Sequence, residues 1–146
     1  MPKEIRIIID TSWWISLIVS KQSIGLPSLL RNEKYRICFS KELKEEVFKA
    51  LTYTRNAKRM NELNFKLFSD FINDVAWYFD ITSSVSVCRD EKDNFLLALS
   101  RDANADYLIT NDDDLLHIKQ FKQTIICTLP DFLKNYFNKS DNHDLS

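Results

Sequence analysis

The chain has 146 residues, a formal net charge of −1 and a hydrophobic content of 45%. This length suits one compact domain with its own core, and the hydrophobic content excludes a disordered chain. The near-neutral charge provides no whole-surface attraction to nucleic acid or membrane, so such a contact needs a local basic patch.

The scarcity of glycine and histidine excludes or disfavours several classes of enzyme. Gly25 is the only glycine, and loops that bind nucleoside triphosphates or NAD need glycines to bring backbone amides close to phosphate. His117 and His143 are the only histidines, which disfavours zinc enzymes and histidine-based general bases. The chemistry is therefore expected to depend on other side chains.

The three cysteines are far apart and lie in apolar, strand-like settings. Zinc clusters need close spacing, and an odd cysteine number does not suit a disulfide framework. Buried, reduced thiols are predicted at Cys38, Cys88 and Cys127.

No segment has the pattern of a signal peptide or a membrane span. The first apolar run, in MPKEIRIIID, is short and interrupted by charges, and later apolar runs are shorter than a transmembrane helix. A soluble, cytoplasmic protein is expected.

The first strongly patterned stretch is IRIIIDTSWWIS, residues 5–16. Its β-branched run is typical of a buried parallel strand, and Asp10 follows that strand directly. A helix is predicted next, with Thr11 or Ser12 as its N-cap. Trp13 and Trp14 are predicted to anchor this helix in the core.

A second helix pattern follows Ser40, its predicted N-cap, in SKELKEEVFKAL. At about 100° per residue, Glu46 lies roughly 60° from Leu43 and borders the apolar stripe, whereas Glu45 points away. Glu46 is therefore the glutamate that a core-facing site can use, with Glu42 as the second choice.

Strand patterns alternate with helix patterns along the chain. This alternation predicts an α/β fold, a three-layer α/β/α domain with a central, mostly parallel sheet, over residues 1–137. Residues 138–146 are predicted to be a polar, disordered tail. The remaining predicted segments are helix Leu26–Arg31, strand Tyr35–Phe39, a polar turn or short helical connection Thr52–Met60, helix Asn61–Phe79, strand Ile81–Val87, helix Glu91–Asp102, strand Tyr107–Thr110, strand Thr124–Leu129 and helix Pro130–Phe137.

Acidic residues occur where several of these elements begin or end. Taken singly, each has an ordinary structural explanation: Asp10 can cap a helix, the segments 90–93 and 110–113 resemble capping arrangements, and Glu46 can lie on a helix surface. As a set they favour a site, because Asp10 and Asp112 follow buried strands and Asp93 opens a buried helix.

Carboxylates that converge on one sheet edge repel each other, and a hard cation such as Mg²⁺ or Mn²⁺ relieves that repulsion. Such a metal polarises a phosphoryl oxygen and lowers the pKa of a bound water. Phosphodiester hydrolysis without a histidine base is the chemistry that this pattern favours.

The chain resembles the PIN domain family, and most closely its small single-domain bacterial and archaeal members assigned as toxins of toxin–antitoxin pairs, relatives of the VapC-type toxins. The resemblance lies in four blocks: IIIDTSWWIS, SKELKEEVFKAL, VCRDEKDNFLLALSRDANADYLITNDDDLL and IICTLPDFL. The third is the most specific, at Arg89–Asn94, Ala105–Leu108 and Thr110–Asp112. Two departures are the bulky pair Trp13-Trp14 and Asn111 in place of the common glycine.

The resemblance implies a metal-dependent endoribonuclease that uses Mg²⁺ or Mn²⁺ and acts on single-stranded or loop RNA. It also implies an antitoxin partner and, as is common in the family, a homodimer. The implied catalytic and metal-binding residues are Asp10, Glu46, Asp93 and Asp112. The implied accessory residues are Ser12, Asp90, Thr110 and Asp114.

A local excess of positive charge lies between residues 49 and 66. This excess can follow a phosphate backbone, or it can be a solvated helix face, and the sequence does not decide between the two. Tyr53, nearby, is a residue that can stack on a base. The tentative RNA-binding residues are Lys49, Arg55, Lys58 and Arg59.

Three other functions are compatible with the sequence. A PIN nuclease in RNA processing would have the same site without an antitoxin. A catalytically silent interaction domain would keep the carboxylates only as caps. A phosphatase with Asp10 as nucleophile is the least favoured, because Ser12 lies where that chemistry usually has a second aspartate.

Overall fold

The computed structural model describes residues 4–20, 26–57, 59–87 and 91–134. Gly25, Lys58, Cys88, Asp90 and the predicted tail lie outside these residues. The elements in chain order are β1 Ile5–Ile9, α1 Thr11–Val19, α2 Leu26–Arg31, β2 Tyr35–Phe39, α3 Lys41–Asn56, α4 Glu62–Asp74, β3 Trp77–Tyr78, α5 Glu91–Asp102, β4 Tyr107–Ile109, α6 Asp113–Ile118, β5 Gln120–Phe121 and β6 Thr124–Cys127, and residues 129–134 are helical.

The described strands form one sheet in the order β3-β2-β1-β4-β6-β5. All neighbouring pairs are parallel except β5 and β6, which form an antiparallel edge. From β1 the chain first builds β2 and β3 on one side, and it then crosses to build β4 on the other. In open α/β sheets, ligands bind outside the carboxyl ends of the strands at such a reversal, so the position between β1 and β4 is where a site is expected.

Helices cover both faces of the sheet. On one face Trp14 of α1 packs against Phe39 of β2 and Phe68 of α4. Side chains alternate between the two faces along β1, so Arg6 lies on the opposite face. There its guanidinium donates to the carbonyl of Ala103, just after α5. The predicted three-layer α/β/α architecture with a mostly parallel sheet is confirmed.

The core is centred on the strand that opens the chain. Ile7, Ile8 and Ile9 are all fully buried, as expected for a parallel strand covered on both faces. Trp14 is also fully buried, and Trp13 packs partly buried against the core. The two tryptophans therefore anchor α1 in the core, as predicted.

The structure decides between alternatives that the sequence left open at the start of α1 and at the end of α3. The N-cap of α1 is Asp10 rather than Thr11 or Ser12, because Asp10 keeps the extended backbone of β1 and its side chain accepts from the Thr11 amide. Helix α3 continues to Asn56, into the segment Thr52–Met60 that was predicted to be a turn or a short helical connection. Thr54 contributes to this continuation. Its side chain is buried, and its hydroxyl donates to the carbonyl of Ala50 one turn earlier.

The helix predicted to reach Phe79 ends at Asp74 instead. Trp77 and Tyr78 pair with β2 as a parallel edge strand, and the Phe79 amide donates to the carbonyl of Phe39. The predicted strand Ile81–Val87 is also wrong, because this stretch is irregular. The Asp102 carboxylate holds this stretch in place by accepting hydrogen bonds from the backbone amides of Thr82 and Ser83.

The hydrogen bonds from this irregular segment also stabilise the ionised form of the Asp102 carboxylate. Partial desolvation acts to raise the pKa of Asp102, but hydrogen bonds from Ser83 and Thr82 outweigh that effect and lower the pKa overall. The structure also contains two elements for which the sequence analysis made no prediction, α6 and β5.

Both cysteines in the described ranges are free. Burial raises the pKa of the Cys38 thiol to about 12 and that of Cys127 to about 11. Since the thiolate is the reactive form, both thiols are unreactive near neutral pH.

In the described ranges no helix is both long and apolar enough to cross a lipid bilayer.

Asn64 ties α4 to the end of α1. Its side chain is 1% exposed, and its amide donates to the carbonyls of Leu17 at 3.1 Å and Ser20 at 2.9 Å. Asn64→Ala leaves these acceptors without that donor, so the free energy of unfolding is expected to fall by about 1–3 kcal/mol. Urea denaturation measures the change.

The matched control is Asn73→Ala, since Asn73 is exposed on the same helix. Its expected effect is within about 0.5 kcal/mol of zero. Equal effects of the two substitutions would contradict a bridging role for Asn64.

Candidate active site

Asp10 lies at the point where the sheet reverses its strand order. Its backbone amide donates to the carbonyl of Ile109 in β4 at 2.8 Å, which holds the ends of β1 and β4 side by side. Its Oδ1 accepts from the Thr11 amide at 2.7 Å and so caps α1. The carboxylate is therefore fixed by the start of the helix that follows it.

Thr110 links the two aspartates that follow β1 and β4. This fully buried residue donates from its hydroxyl to Oδ2 of Asp10 at 2.8 Å. The same hydroxyl oxygen accepts from the Asp112 amide at 3.1 Å. One side chain thus sets the orientation of Asp10 and the backbone position of Asp112.

Asp112 caps α6 as Asp10 caps α1. Its backbone is extended, and its Oδ1 accepts from the Asp114 amide at 2.8 Å. This hydrogen bond turns the chain so that Asp114 enters the first turn of α6.

Asp93 brings a third element to the same place. It lies in the first turn of α5 and is only 5% exposed. Carboxylate oxygens of Asp93, Asp112 and Asp114, one from each residue, lie within 4.8 Å of one another. This acidic cluster is the densest arrangement of possible metal ligands in the described part of the chain.

A cleft of about 600 Å³ opens beside the acidic cluster. The described residues that line it include four carboxylates and no basic residue. The lining residues are Asp10, Thr11, Ser12, Ile15, Glu46, Ala50, Asp93, Phe95, Leu96, Asn111 and Asp112.

Electrostatics in the cleft disfavour an ionised Asp10. Desolvation by burial raises its pKa, and the nearby charge of Asp112 raises it further. Hydrogen bonds from Thr110 and Thr11 favour the ionised form and oppose this rise, but the pKa stays above 3.8. A positive charge in the cleft would relieve both unfavourable effects.

The ligand atoms fit a hard divalent cation. The clustered groups are all carboxylates, which Mg²⁺, Mn²⁺ and Ca²⁺ prefer, whereas softer metals select thiolate or imidazole. Asp93, Asp112 and Asp114 would hold such an ion, and Asp10 and Glu46 face the same cleft.

The structure brings the four residues implied as catalytic, Asp10, Glu46, Asp93 and Asp112, to one cleft. Glu42, the alternative to Glu46, is exposed one turn earlier on α3.

The residues implied as accessory have different positions. Ser12 lines the cleft, and Thr110 contacts Asp10 and Asp112 as described above. Asp114 lies within the acidic cluster with Asp93 and Asp112. Asp90 lies outside the described residues.

The described basic residues suggested for RNA binding, Lys49, Arg55 and Arg59, are all exposed. Lys49 lies on α3, and Arg59 follows its end. The Arg55 guanidinium lies 5.8 Å from the centre of the Phe65 ring. Lys58 is outside the described ranges.

The sequence analysis missed the apolar part of the cleft, which Ile15, Ala50 and Phe95 line. Helical spacing contains a signal for two of them. Ile15 follows Thr11 by four residues, and Ala50 follows Glu46 by four, so each lies one turn beyond a polar lining residue on the same helix face.

The doubly covered parallel sheet has an acidic cleft at the reversal of strand order, and these features define an α/β protein with a candidate metal site. The family model described as "PIN domain" matches residues 6–114, which is more than half of the chain. The chain belongs to the PIN domain family. No curated protein and no solved structure gives a significant match.

The raised pKa of Asp10 predicts how the metal-free protein responds to pH. The folded state binds a proton at Asp10 more tightly than the unfolded chain does, so the ionised carboxylate costs stability at pH 7. This cost disappears as pH falls through the raised pKa towards 3.8. In EDTA, Asp10→Asn should therefore melt at or above the wild-type temperature at pH 7, with a smaller difference below about pH 4.

Thermal denaturation followed by circular dichroism measures both proteins. Saturating Mn²⁺ should raise the wild-type melting temperature more than that of Asp10→Asn, because the ion binds the folded wild type more tightly. A variant that is less stable than wild type in EDTA at pH 7 would contradict the predicted cost of the ionised carboxylate.

The acidic cluster predicts a saturable Mn²⁺ site that depends on Asp93. Isothermal titration of Mn²⁺ should show affinity at least about tenfold weaker in Asp93→Asn, since the loss of even a supporting group around a metal costs about that much.

Asp113→Asn is the matched control, because Asp113 is an exposed neighbour outside the acidic cluster. It removes the same charge from the protein, so it should retain wild-type Mn²⁺ affinity. Equal weakening of Mn²⁺ affinity in the two variants would mean that only the protein's net charge matters, and it would contradict a site that depends on Asp93.

Proposed function

We propose that this PIN domain is a Mg²⁺- or Mn²⁺-dependent endoribonuclease that hydrolyses phosphodiester bonds in single-stranded RNA. The observation that carries the proposal is the convergence of Asp10, Glu46, Asp93 and Asp112 on one cleft at the sheet reversal. No basic residue lines that cleft among those described, so a phosphate group can approach it only with a cation present.

A divalent cation, when bound, supplies polarisation of the phosphoryl oxygen and a more acidic water. The chain's own contribution is to position oxygen ligands. Thr110 orients Asp10, the Asp114 amide orients Asp112, and α5 presents Asp93 from a nearly buried position. The cleft excludes part of the solvent, which strengthens every charge interaction within it.

The finer part of the proposal concerns the biological role. We propose that the protein is the toxin of a type II toxin–antitoxin pair, acts in the cytoplasm, and is neutralised by an antitoxin that covers the cleft. Support comes from the resemblance of the four sequence blocks to small single-domain toxins. A small DNA-binding protein encoded directly beside this chain would add support.

Cleavage of mixed-sequence single-stranded RNA in Mn²⁺ tests the activity. Asp112→Asn should lower the cleavage rate by about 100-fold or more, because it removes a carboxylate from the acidic cluster and each 1.36 kcal/mol lost from the transition state is tenfold in rate. Asp113→Asn should cleave as the wild type does. Gel analysis of end-labelled RNA measures both rates, and EDTA should abolish them.

The same pair of variants tests toxicity on induced expression. Wild type and Asp113→Asn should arrest growth, and Asp112→Asn should not. RNA cleavage that is unchanged in Asp112→Asn would overturn the nuclease proposal. Metal-dependent cleavage without growth arrest would retain the nuclease and reject the toxin role.

A further inference from the structure

The cleft has an apolar wall that a metal site does not need. Ile15 of α1, Ala50 of α3 and Phe95 of α5 line it beside the carboxylates, and Leu96 adds a nearly buried surface. Ions and phosphates gain nothing from apolar surface, whereas this cleft of about 600 Å³ is within the range of pockets that bind small organic ligands. The wall therefore indicates an occupant with an apolar face as well as a charged group.

We propose that the apolar wall binds one unpaired nucleobase of the RNA, next to the phosphate that faces the acidic cluster. This inference rests on the proposed nuclease function and adds a base-binding position to it. A nucleotide matches the cleft because it joins a flat π-face to an anionic phosphate. Phe95 is the residue expected to stack on the base, since it is the aromatic side chain of the wall and is only partly buried.

The position of the wall relative to the carboxylates supports this assignment. Asp93 and Phe95 both line the cleft from the first part of α5, so the phosphate and base sites belong to one cavity. On the other side, Ala50 follows Glu46 by one helical turn, about 6 Å along α3. A base against the wall and a phosphate at the carboxylates are thus separated by a distance that one nucleotide can span.

The same face of α3 continues out of the cleft. Tyr53 follows Glu46 by seven residues, which places it about 20° from Glu46 around the helix. Its side chain is 79% exposed, and Lys49 beside it is also exposed. This surface suits the RNA strand where it leaves the cleft. Tyr53 is therefore the alternative stacking residue in the test.

Base binding at the wall would select single-stranded RNA. A base in a duplex must unstack and break its base pair to reach a pocket, at a cost of a few kcal/mol. The cost is smaller for an unpaired base. A preference for unpaired RNA would then follow from the shape of the cleft rather than from hydrogen bonds to a particular base.

Two small ligands separate the base from the phosphate. Titration calorimetry should compare adenosine 5′-monophosphate with ribose 5-phosphate, which has the same phosphate and no base, in saturating Mn²⁺ and in EDTA. In Mn²⁺ the nucleotide should bind about 5- to 150-fold more tightly, the range expected for stacking of one base on an aromatic side chain. Phe95→Leu should remove this difference and leave ribose 5-phosphate affinity unchanged, because it keeps an apolar side chain without the ring.

Tyr53→Ala is the matched control, and it should retain the preference for the nucleotide. Equal affinities of the two ligands for the wild type, or binding of neither, would overturn the base site. Loss of the preference in Tyr53→Ala but not in Phe95→Leu would also overturn it, because the base would then lie on the outer face of α3. The proposed function fails separately, through absence of RNA cleavage, since this titration requires none.

Discussion

The hydrogen bond between Thr110 and Asp10 joins the two halves of the molecule at the site. Asp10 follows β1, which has β2 and β3 on one side. Thr110 follows β4, the first strand on the other side of β1. A buried hydroxyl and a largely buried carboxylate need each other, because neither has free access to water. The register of β1 against β4 and the position of the site are therefore set by the same contact.

Helix capping and site formation involve the same side chains. Asp10 caps α1 and Asp112 caps α6, yet both line the cleft. The structural and functional explanations of these residues, treated as alternatives at the level of sequence, are both compatible with the geometry. A carboxylate has about four lone-pair positions, so accepting a backbone amide leaves others available.

Local patterns in the sequence predicted the architecture and the convergence of the four carboxylates on one cleft, because both depend on buried strands. The isoleucine run of β1 and the polar residues that follow it indicate an inward-facing carboxylate without any knowledge of the rest of the fold. The limits of α4 and β3 were not predictable in this way. Trp77 and Tyr78 continue an amphipathic helical pattern, and only the free edge of β2, a partner 39 residues earlier in the chain, draws them into the sheet.

The positions of Asp114 and Phe95 beside the carboxylates have a comparable cause that the sequence does not contain. Asp114 is exposed and looks like an ordinary residue of a helix first turn, and its approach to Asp93 depends on how α6 turns after β4. Phe95 looks like a core residue because α5 is apolar on almost every side. Whether such a residue lines a cleft depends on the neighbouring helices α1 and α3, which sequence periodicity does not place.

The capping hydrogen bonds also affect how an ion would enter the site. Backbone amides and the Thr110 hydroxyl already hold Asp10 and Asp112 in their orientations, so these side chains have little rotational freedom left to lose. An entering cation would pay mainly for shedding its own water rather than for ordering the protein. Discrimination between cations would then depend on the dehydration cost of each ion, which is larger for Mg²⁺ than for Ca²⁺.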